Sequence, residues 1–206
     1  MHPETINAAT RAVLEKIAGT DFIHQFYLAG GTALALELGH RISVDLDFFT
    51  YEKFSTAHIR NTLAKLGKLT ITSEDAGGTL NGIVDEVQVS FFIYPYQNVY
   101  PTISYAGVQL ADERDIAAMK LEAIASRGSK KDFVDLYVLM EKYSLVELIA
   151  LFEKRYSNVE YNKLHLLKSL SYFADAEESG DPVMLKKISW AEVKEKISAS
   201  AKDYIG

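Results

Sequence analysis

Apolar positions near the start of the chain follow a helical period, then alternate in several short runs, and return to a helical period that holds to the end. Pro3 to Gly19 reads as an amphipathic helix, Gln25 to Ala29 as a short strand, and Gly31 to Gly39 as a helix closed by glycine. Ser43 to Thr50 alternates and predicts a strand. Phe54 and Ser55, followed by Ile59, Leu63 and Leu66, give a hydrophobic entry residue, an N-cap and an apolar stripe ending at Gly67. Three strand candidates follow, at 68–73, 79–84 and 87–94. The turn signals Ala76-Gly77-Gly78 and Val84-Asp85-Glu86 separate them, which predicts an antiparallel meander.

Beyond a loop containing Pro95, Tyr100 and Pro101 and a short apolar stretch at 108–110, the pattern is helical. One helix runs from Asp112 to Arg127 and stops at Gly128. Ser129 can cap the next, to Tyr143, with Asp132 as a capping-box acid, and Ser144 can cap another. Asp175 to Asp181, rich in acid and glycine, is the one disorder-prone stretch. The expected class is α/β (α+β): a mixed sheet flanked by helices over residues 1–110, and a helical region over 111–206 that completes a cleft.

Composition narrows the chemistry. The chain has 206 residues and no cysteine, so disulfides, thiol nucleophiles and thiolate metal sites are excluded. Its histidines show no ligand-spaced pair. A formal charge of -6 argues against a broad nucleic-acid-binding face, since phosphate attraction comes from clustered Lys and Arg. No apolar run approaches the roughly 20 residues that cross a bilayer, and the N-terminal stretch lacks a signal peptide's apolar centre. The expectation is a cytoplasmic protein without membrane contact.

Leu28 to Phe49 carries the densest information. Gly30-Gly31-Thr32 falls between a strand and a helix, where glycines permit close backbone approach and the first free N–H groups of the helix point outward. Phosphate is the natural occupant of such a turn, although plain geometry explains many Gly-Gly turns. On the strand that follows, alternation places Arg41, Ser43, Asp45 and Asp47 on one face and Ile42, Val44, Leu46 and Phe48 on the other. Two carboxylates at i and i+2 converge on one point, the arrangement that Mg2+ (or Mn2+) uses with water and substrate phosphates. An Arg41–Asp45 pair on an exposed strand would account for the same residues without catalysis. A phosphate-type turn, one helix and then the acid pair is a far more specific combination than either half alone.

That block, Gly-Gly-Thr-Ala-Leu34 to Arg41-Ile-Ser-Val-Asp-Leu-Asp-Phe-Phe49, resembles the AbiEii/AbiGii nucleotidyltransferase toxin family within the polymerase-beta-like nucleotidyltransferase superfamily. A second block, Asp115 to Tyr137 with Lys120, Arg127, Lys131-Asp132 and Asp135, resembles the downstream motif of that family. The likeness spans Phe26 to Tyr137. It implies a nucleotidyltransferase-type sheet and metal-dependent transfer of a nucleotide from an NTP to an acceptor, RNA in the best-understood members. It also implies a toxin countered by an antitoxin protein.

Physically, Lys120, Arg127 and Lys131 recur at helical spacing and can turn a cationic stripe to the nucleotide. Lys131 also precedes Asp135 by four, so a local Lys–Asp pair on a solvated helix is the plainer alternative. The superfamily pattern departs in one place: a third carboxylate is expected on the strand at 87–94, which has no acid and presents Gln88, Ser90 and Phe92 on one face. Asp135 is the favoured substitute, as base or structural clamp. Two carboxylates sufficing, or a weakened enzyme, fit as well. His40 is assigned no role, and the aromatics Phe91, Phe92, Tyr94, Tyr96, Tyr100 and Tyr105 are read as packing, with base stacking as the minority view. The rivals are a non-catalytic nucleotide- or partner-binding module and a metal-dependent phosphohydrolase.

Overall fold

The structure, a computed structural model, describes residues 1–75 and 77–205, with Ile205 by its backbone only. In chain order the sheet half comprises α1 (Ala8–Ala18), β1 (Tyr27–Ala29), α2 (Gly30–Leu38), β2 (Leu46–Thr50), α3 (Thr56–Leu66), β3 (Leu69–Asp75), β4 (Thr79–Val84), β5 (Val87–Ile93), β6 (Ile103–Tyr105) and β7 (Val108–Leu110). Then come α4 (Glu113–Ser126), α5 (Lys130–Leu139), α6 (Leu145–Arg155), α7 (Lys163–Ser169), α8 (Ala174–Glu178) and α9 (Trp190–Ile205). The strands form one mixed sheet in the order β3-β4-β5-β2-β1-β7-β6.

The mixed α/β class holds, and so does the meander: β3, β4 and β5 pair antiparallel in succession. The β4–β5 turn places Asp85 and Glu86 at φ 46° and 72°, the left-handed backbone of a tight hairpin. Asp85 is then consumed locally, accepting from Lys68 N at 2.9 Å and pairing with Lys16 at 2.7 Å. Ala76, expected in the preceding turn, lies outside the described residues.

Several boundaries differ for identifiable reasons. Asn7 caps α1 by accepting from Thr10 N at 2.8 Å, so Pro3–Thr5 becomes a separate 3-10 turn. β2 begins at Leu46 and not at Ser43, because residues 41–43 find other partners: Ser43 N donates to Thr5 O, Ile42 N to Val183 O, and Arg41 bridges to Met184. β6 escaped the sequence reading because its three residues carry too short a period to register; it pairs with β7 across Ala106 and Gly107, both at positive φ. α5 stops at Leu139, four residues short of the expected Tyr143. The segment read as disorder-prone holds α8, and its Asp181 meets Lys130 at 2.7 Å.

β2 shows why the site forms where it does. Leu46, Phe48 and Thr50 are buried while Asp47 and Phe49 are half-buried on the opposite face. β2 lies between β1, antiparallel to it, and β5, parallel to it. The buried face belongs to an apolar cluster that includes Leu28, Phe48 and Phe91 of the sheet and continues through Phe133, Leu148 and Ile197 of the helices. Among the described residues no helix is long and apolar enough to cross a membrane.

Candidate active site

α2 starts directly from β1, and its N-cap, Ala29, supplies no side-chain acceptor, so the first N–H groups of the helix are left for a ligand. Gly30 adopts φ 69°, and a Cβ on it would stand 3.2 Å from Asp47 Oδ2. The turn therefore lies directly against the acid pair. Gly31 is equally constrained: a Cβ there would fall 2.3 Å from Arg41 Nη2. Thr32 and Ser43 are buried and tie the turn to the acid-bearing segment. Ser43 Oγ hydrogen-bonds Thr32 Oγ1 at 2.8 Å, and the Thr32 hydroxyl donates to the backbone oxygen of Asp45.

Asp45 and Asp47 face a cleft of about 360 Å3 lined on one side by the Gly30–Thr32 turn, Phe49, Phe92 and Tyr94, and on the other by α4. Burial, and after it the Asp45 carboxylate, push the Asp47 carboxyl above the usual range, against the pull of Ser90 and Lys131. Ser90 is the register partner of Asp47 on β5, so the neighbouring strand, which carries no acid, offers a hydroxyl beside Asp47.

The cations divide into two sets. Arg41 and Lys120 are 4% and 5% exposed at their side chains and are engaged behind the cleft. Arg41 forks Asp135 through Nε at 2.6 Å and Nη2 at 2.9 Å, and donates Nη1 to Ile42 O. Lys120 Nζ stands 2.9 Å from Asp132 and 2.6 Å from Asp135. Burial alone would lower the Lys120 ammonium, but the Asp135 and Asp132 carboxylates outweigh it and hold it above its ordinary value. Arg127 and Lys131, by contrast, are 63% and 49% exposed and stand at the mouth, leaning on Asp132 at 3.2 Å and on Asp45 at 3.7 Å.

Asp135 is fully buried and accepts from His40 Nε2 at 2.7 Å, from Arg41 twice and from Lys120. Burial raises its pKa, yet Lys120 and Arg41 prevail and keep it well below the usual carboxylate range. Asp132 is likewise pulled down to about 2, against burial, by Lys120 and Arg127. Ser129 precedes α5 as expected but does not cap it; its hydroxyl donates to Asp132 at 2.6 Å.

The structure thus gathers Gly30, Gly31, Thr32, Arg41, Ser43, Asp45, Asp47, Lys120, Arg127 and Lys131 around one cleft, with Asp135 immediately behind it. Two local pairings expected from spacing do not occur: Arg41 pairs with Asp135 and not Asp45, and Lys131 leans on Asp45 and not Asp135. Sequence reasoning passed over His40, and also Glu122, which lines the cleft from α4. The signal for Glu122 was present in Met119, Glu122, Ala123 and Ser126, which recur at three to four residues and share the face that lines the cavity.

Among the described residues no group of three or more His, Asp or Glu side chains forms a metal cage. The donor set is nevertheless one of hard oxygens suited to Mg2+, with room for water and phosphate ligands. Charge supports the fit. Arg41, Lys120, Arg127 and Lys131 oppose Asp45, Asp47, Glu122, Asp132 and Asp135, a formal -1 that would repel a triphosphate unless a cation joined it.

An open helix N-terminus after β1, an acid pair at the start of β2 and a helical wall carrying exposed cations are the parts that a nucleotidyl-transfer site needs. The chain belongs to the AbiEii nucleotidyl transferase toxin family, "Nucleotidyl transferase AbiEii toxin, Type IV TA system", which it matches over residues 12–204. An uncharacterized protein of Aquifex aeolicus (strain VF5) is 39% identical over 204 residues, 95% of either chain. Two solved structures share the fold. MenT4, a nucleotidyltransferase toxin from Mycobacterium tuberculosis H37Rv, is 17% identical with a TM-score of 0.58, covering 95% of this chain and 82% of that one. JHP933 from Helicobacter pylori is 18% identical with a TM-score of 0.56, covering 94% and 88%.

Proposed function

We propose that this member of the family transfers a nucleotide from an NTP to an RNA hydroxyl, as the toxin of a toxin–antitoxin pair, using Mg2+ or Mn2+ held by Asp45 and Asp47. The observation that carries the reading is the close approach of the Gly30 turn to Asp47, where a Cβ on Gly30 would stand 3.2 Å from Asp47 Oδ2, at one cleft whose lining suits a phosphate and a metal ion together. The RNA acceptor and the antitoxin partner rest on family likeness.

In this reading the turn and the start of α2 receive the phosphates through backbone N–H groups. Arg127 and Lys131, exposed at the mouth, hold the outer phosphates and offset the charge that grows on departing pyrophosphate. The acceptor hydroxyl gives up its proton to water, and its oxygen forms a bond to the α-phosphorus as the bond to pyrophosphate breaks. Asp45 and Asp47 would hold a divalent cation, which would supply positive charge for the reacting phosphoryl group. Asp135 is a positioning residue and not the base, because four N–H contacts already occupy its oxygens and its proton affinity is low. It holds Arg41 beneath Gly31 and Lys120 beside the cleft. The -6 net charge is compatible with RNA as acceptor because the contact is confined to this cationic mouth.

The test is incubation of the purified protein with Mg2+, each labelled NTP and a total RNA fraction, beside an Asp45→Ala/Asp47→Ala variant. Label transfer that disappears in the variant is expected, with pyrophosphate as the second product; free phosphate would point to a phosphohydrolase. A second reading, nucleotide binding without transfer, draws on Ser90 standing where a third acid is expected. NTP binding with no transfer to any RNA would establish that reading instead.

A further inference from the structure

A second cavity, of about 350 Å3, opens beside the cleft and shares Tyr94, Glu122 and Ser126 with it. Its walls are largely aromatic, built from Tyr94, Tyr96, Phe152, Tyr156 and Tyr161, of which Phe152 and Tyr156 also belong to the apolar cluster. Tyr94 meets Tyr96 edge-on with centroids 5.0 Å apart, Tyr96 meets Tyr156 at 4.8 Å, and Phe152 meets Tyr156 at 4.7 Å and Tyr161 at 4.9 Å. A 2.6 Å hydrogen bond between the Tyr94 and Tyr156 hydroxyls fixes the inner corner. The rings are therefore held rigidly, at steep mutual angles, around space that is left unfilled. Flat heterocycles gain most from such surroundings, because a base finds ring faces and ring edges in fixed positions.

The polar groups of this cavity suit the edge of a base. Glu122 stands at the junction of the two cavities, and among the described residues no hydrogen bond holds its carboxyl. Asn162 spends its oxygen on capping α7, accepting from His165 N at 3.0 Å, which leaves its amide N–H groups available. His165 donates Nε2 to Ala125 O at 3.1 Å and keeps its ring at the rim. One acceptor and one donor thus accompany the aromatic walls.

We propose that this cavity is a nucleobase subsite of the transferase cleft, stacking a base among Tyr96, Phe152, Tyr156 and Tyr161 and reading its edge with Glu122 and Asn162. The assignment rests on the reading of the neighbouring cleft as a nucleotide site. The base belongs either to the incoming nucleotide or to the terminal residue of the acceptor, and the chemistry of recognition is the same for both. A carboxylate acceptor favours bases that present an amino or imino N–H.

The test uses the full chain with Mg2+ and calorimetry. Four α,β-methylene NTPs probe the donor route, single-stranded hexaribonucleotides without triphosphate probe the acceptor route, and inorganic tripolyphosphate serves as a base-free control. Ala125→Leu fills the cavity, and Tyr161→Leu removes an aromatic wall at the partly exposed rim. The expected result is a loss of about tenfold or more for one nucleic probe in both variants, with tripolyphosphate unchanged. The probe that weakens names the source of the base. If Ala125→Leu fails to fold, Tyr161→Leu alone decides. The proposal is overturned if both probes bind the folded variants as they bind the parent, or if the parent binds no base-bearing probe more tightly than tripolyphosphate. Absence of transfer activity in the parent together with intact base selectivity would instead count against the transferase reading alone.

Discussion

Replacing Asp135 by asparagine keeps the size of the side chain and removes one negative charge from a fully buried cluster. Each carboxylate oxygen now accepts from two N–H donors: Oδ1 from His40 and Arg41 Nε, Oδ2 from Arg41 Nη2 and Lys120. An amide has only one acceptor oxygen, so whichever way the new side chain turned, its NH2 would confront a donor of Arg41 and one more of His40 or Lys120. Leaving a buried charge without its partner costs about 3–5 kcal/mol, a large share of the roughly 5–15 kcal/mol that a domain possesses. For a chain of this size the unfolding midpoint should fall by roughly 6–20 °C, readable by circular dichroism. The double variant with Lys120→Met removes one of the opposed donors and one excess positive charge. It should therefore lose less than the two single variants together, with a coupling of about 1–3 kcal/mol. A drop under about 1 kcal/mol for Asp135→Asn, or additivity within about 0.5 kcal/mol, would refute the clamp.

Other perturbations separate the roles of neighbouring residues. Gly31→Ala drives a methyl group into Arg41, which three hydrogen bonds prevent from yielding, at a cost of about 1–3 kcal/mol partly offset by about 1 kcal/mol of helix propensity. NTP binding should weaken with it, and unchanged nucleotide affinity would show that the close approach is idle. Arg127→Ala and Lys131→Ala should raise the KM for NTP roughly tenfold to a hundredfold; unfolding should shift by under about 0.5 kcal/mol for Lys131→Ala, whose side chain is 49% exposed, and by about 1 kcal/mol or more for Arg127→Ala, which strips a partner from the buried Asp132; a change in kcat alone would place them elsewhere in the reaction. Glu37 is pushed up to about 8 by burial, then by Glu113 and Asp112, and its Oε1 lacks a partner among the described residues. Its folded pKa exceeds the unfolded value of 4.5, so the native state retains a proton that the unfolded chain releases, and stability falls as pH rises from about 4.5 to 8. Denaturant titrations should find that slope in the parent and a flatter one in Glu37→Gln; parallel slopes would show that Glu37 ionises freely.

The legible parts of this molecule were those encoded over short distances. Alternation through residues 43–50, into β2, marked Asp45 and Asp47, the Gly-Gly turn marked the start of α2, and glycine and turn residues marked the meander. The sheet order was beyond reach, since β2 lies parallel to β5 through a pairing that no local period announces. The charged residues teach the same lesson more sharply. Spacing offered Arg41 to Asp45 and Lys131 to Asp135, pairs worth a few tenths of a kcal/mol on a solvated surface. Once the chain folds, burial raises the cost of an unpaired charge by an order of magnitude. Asp135 therefore collects the cations that are buried beside it, including one 94 positions away, and the exposed Lys131 is left to the solvent-facing Asp45.

That sorting explains how the helical half comes to govern a site whose acids lie on the sheet. Arg41 belongs to the segment leading into Asp45 and runs beneath Gly31, yet its fork closes on α5; Lys120 of α4 completes the same cluster. A division drawn at residues 110 and 111 cuts through these bonds and through the apolar cluster that spans them. The carboxylates of α5 thus hold two buried cations in place, and Asp132 also steadies Arg127 at the mouth, while Lys131 leans on the solvent-facing Asp45. A cleft of nearly balanced charge can then present exposed positive groups to phosphates while the buried ones keep the glycine turn pressed against the acid pair.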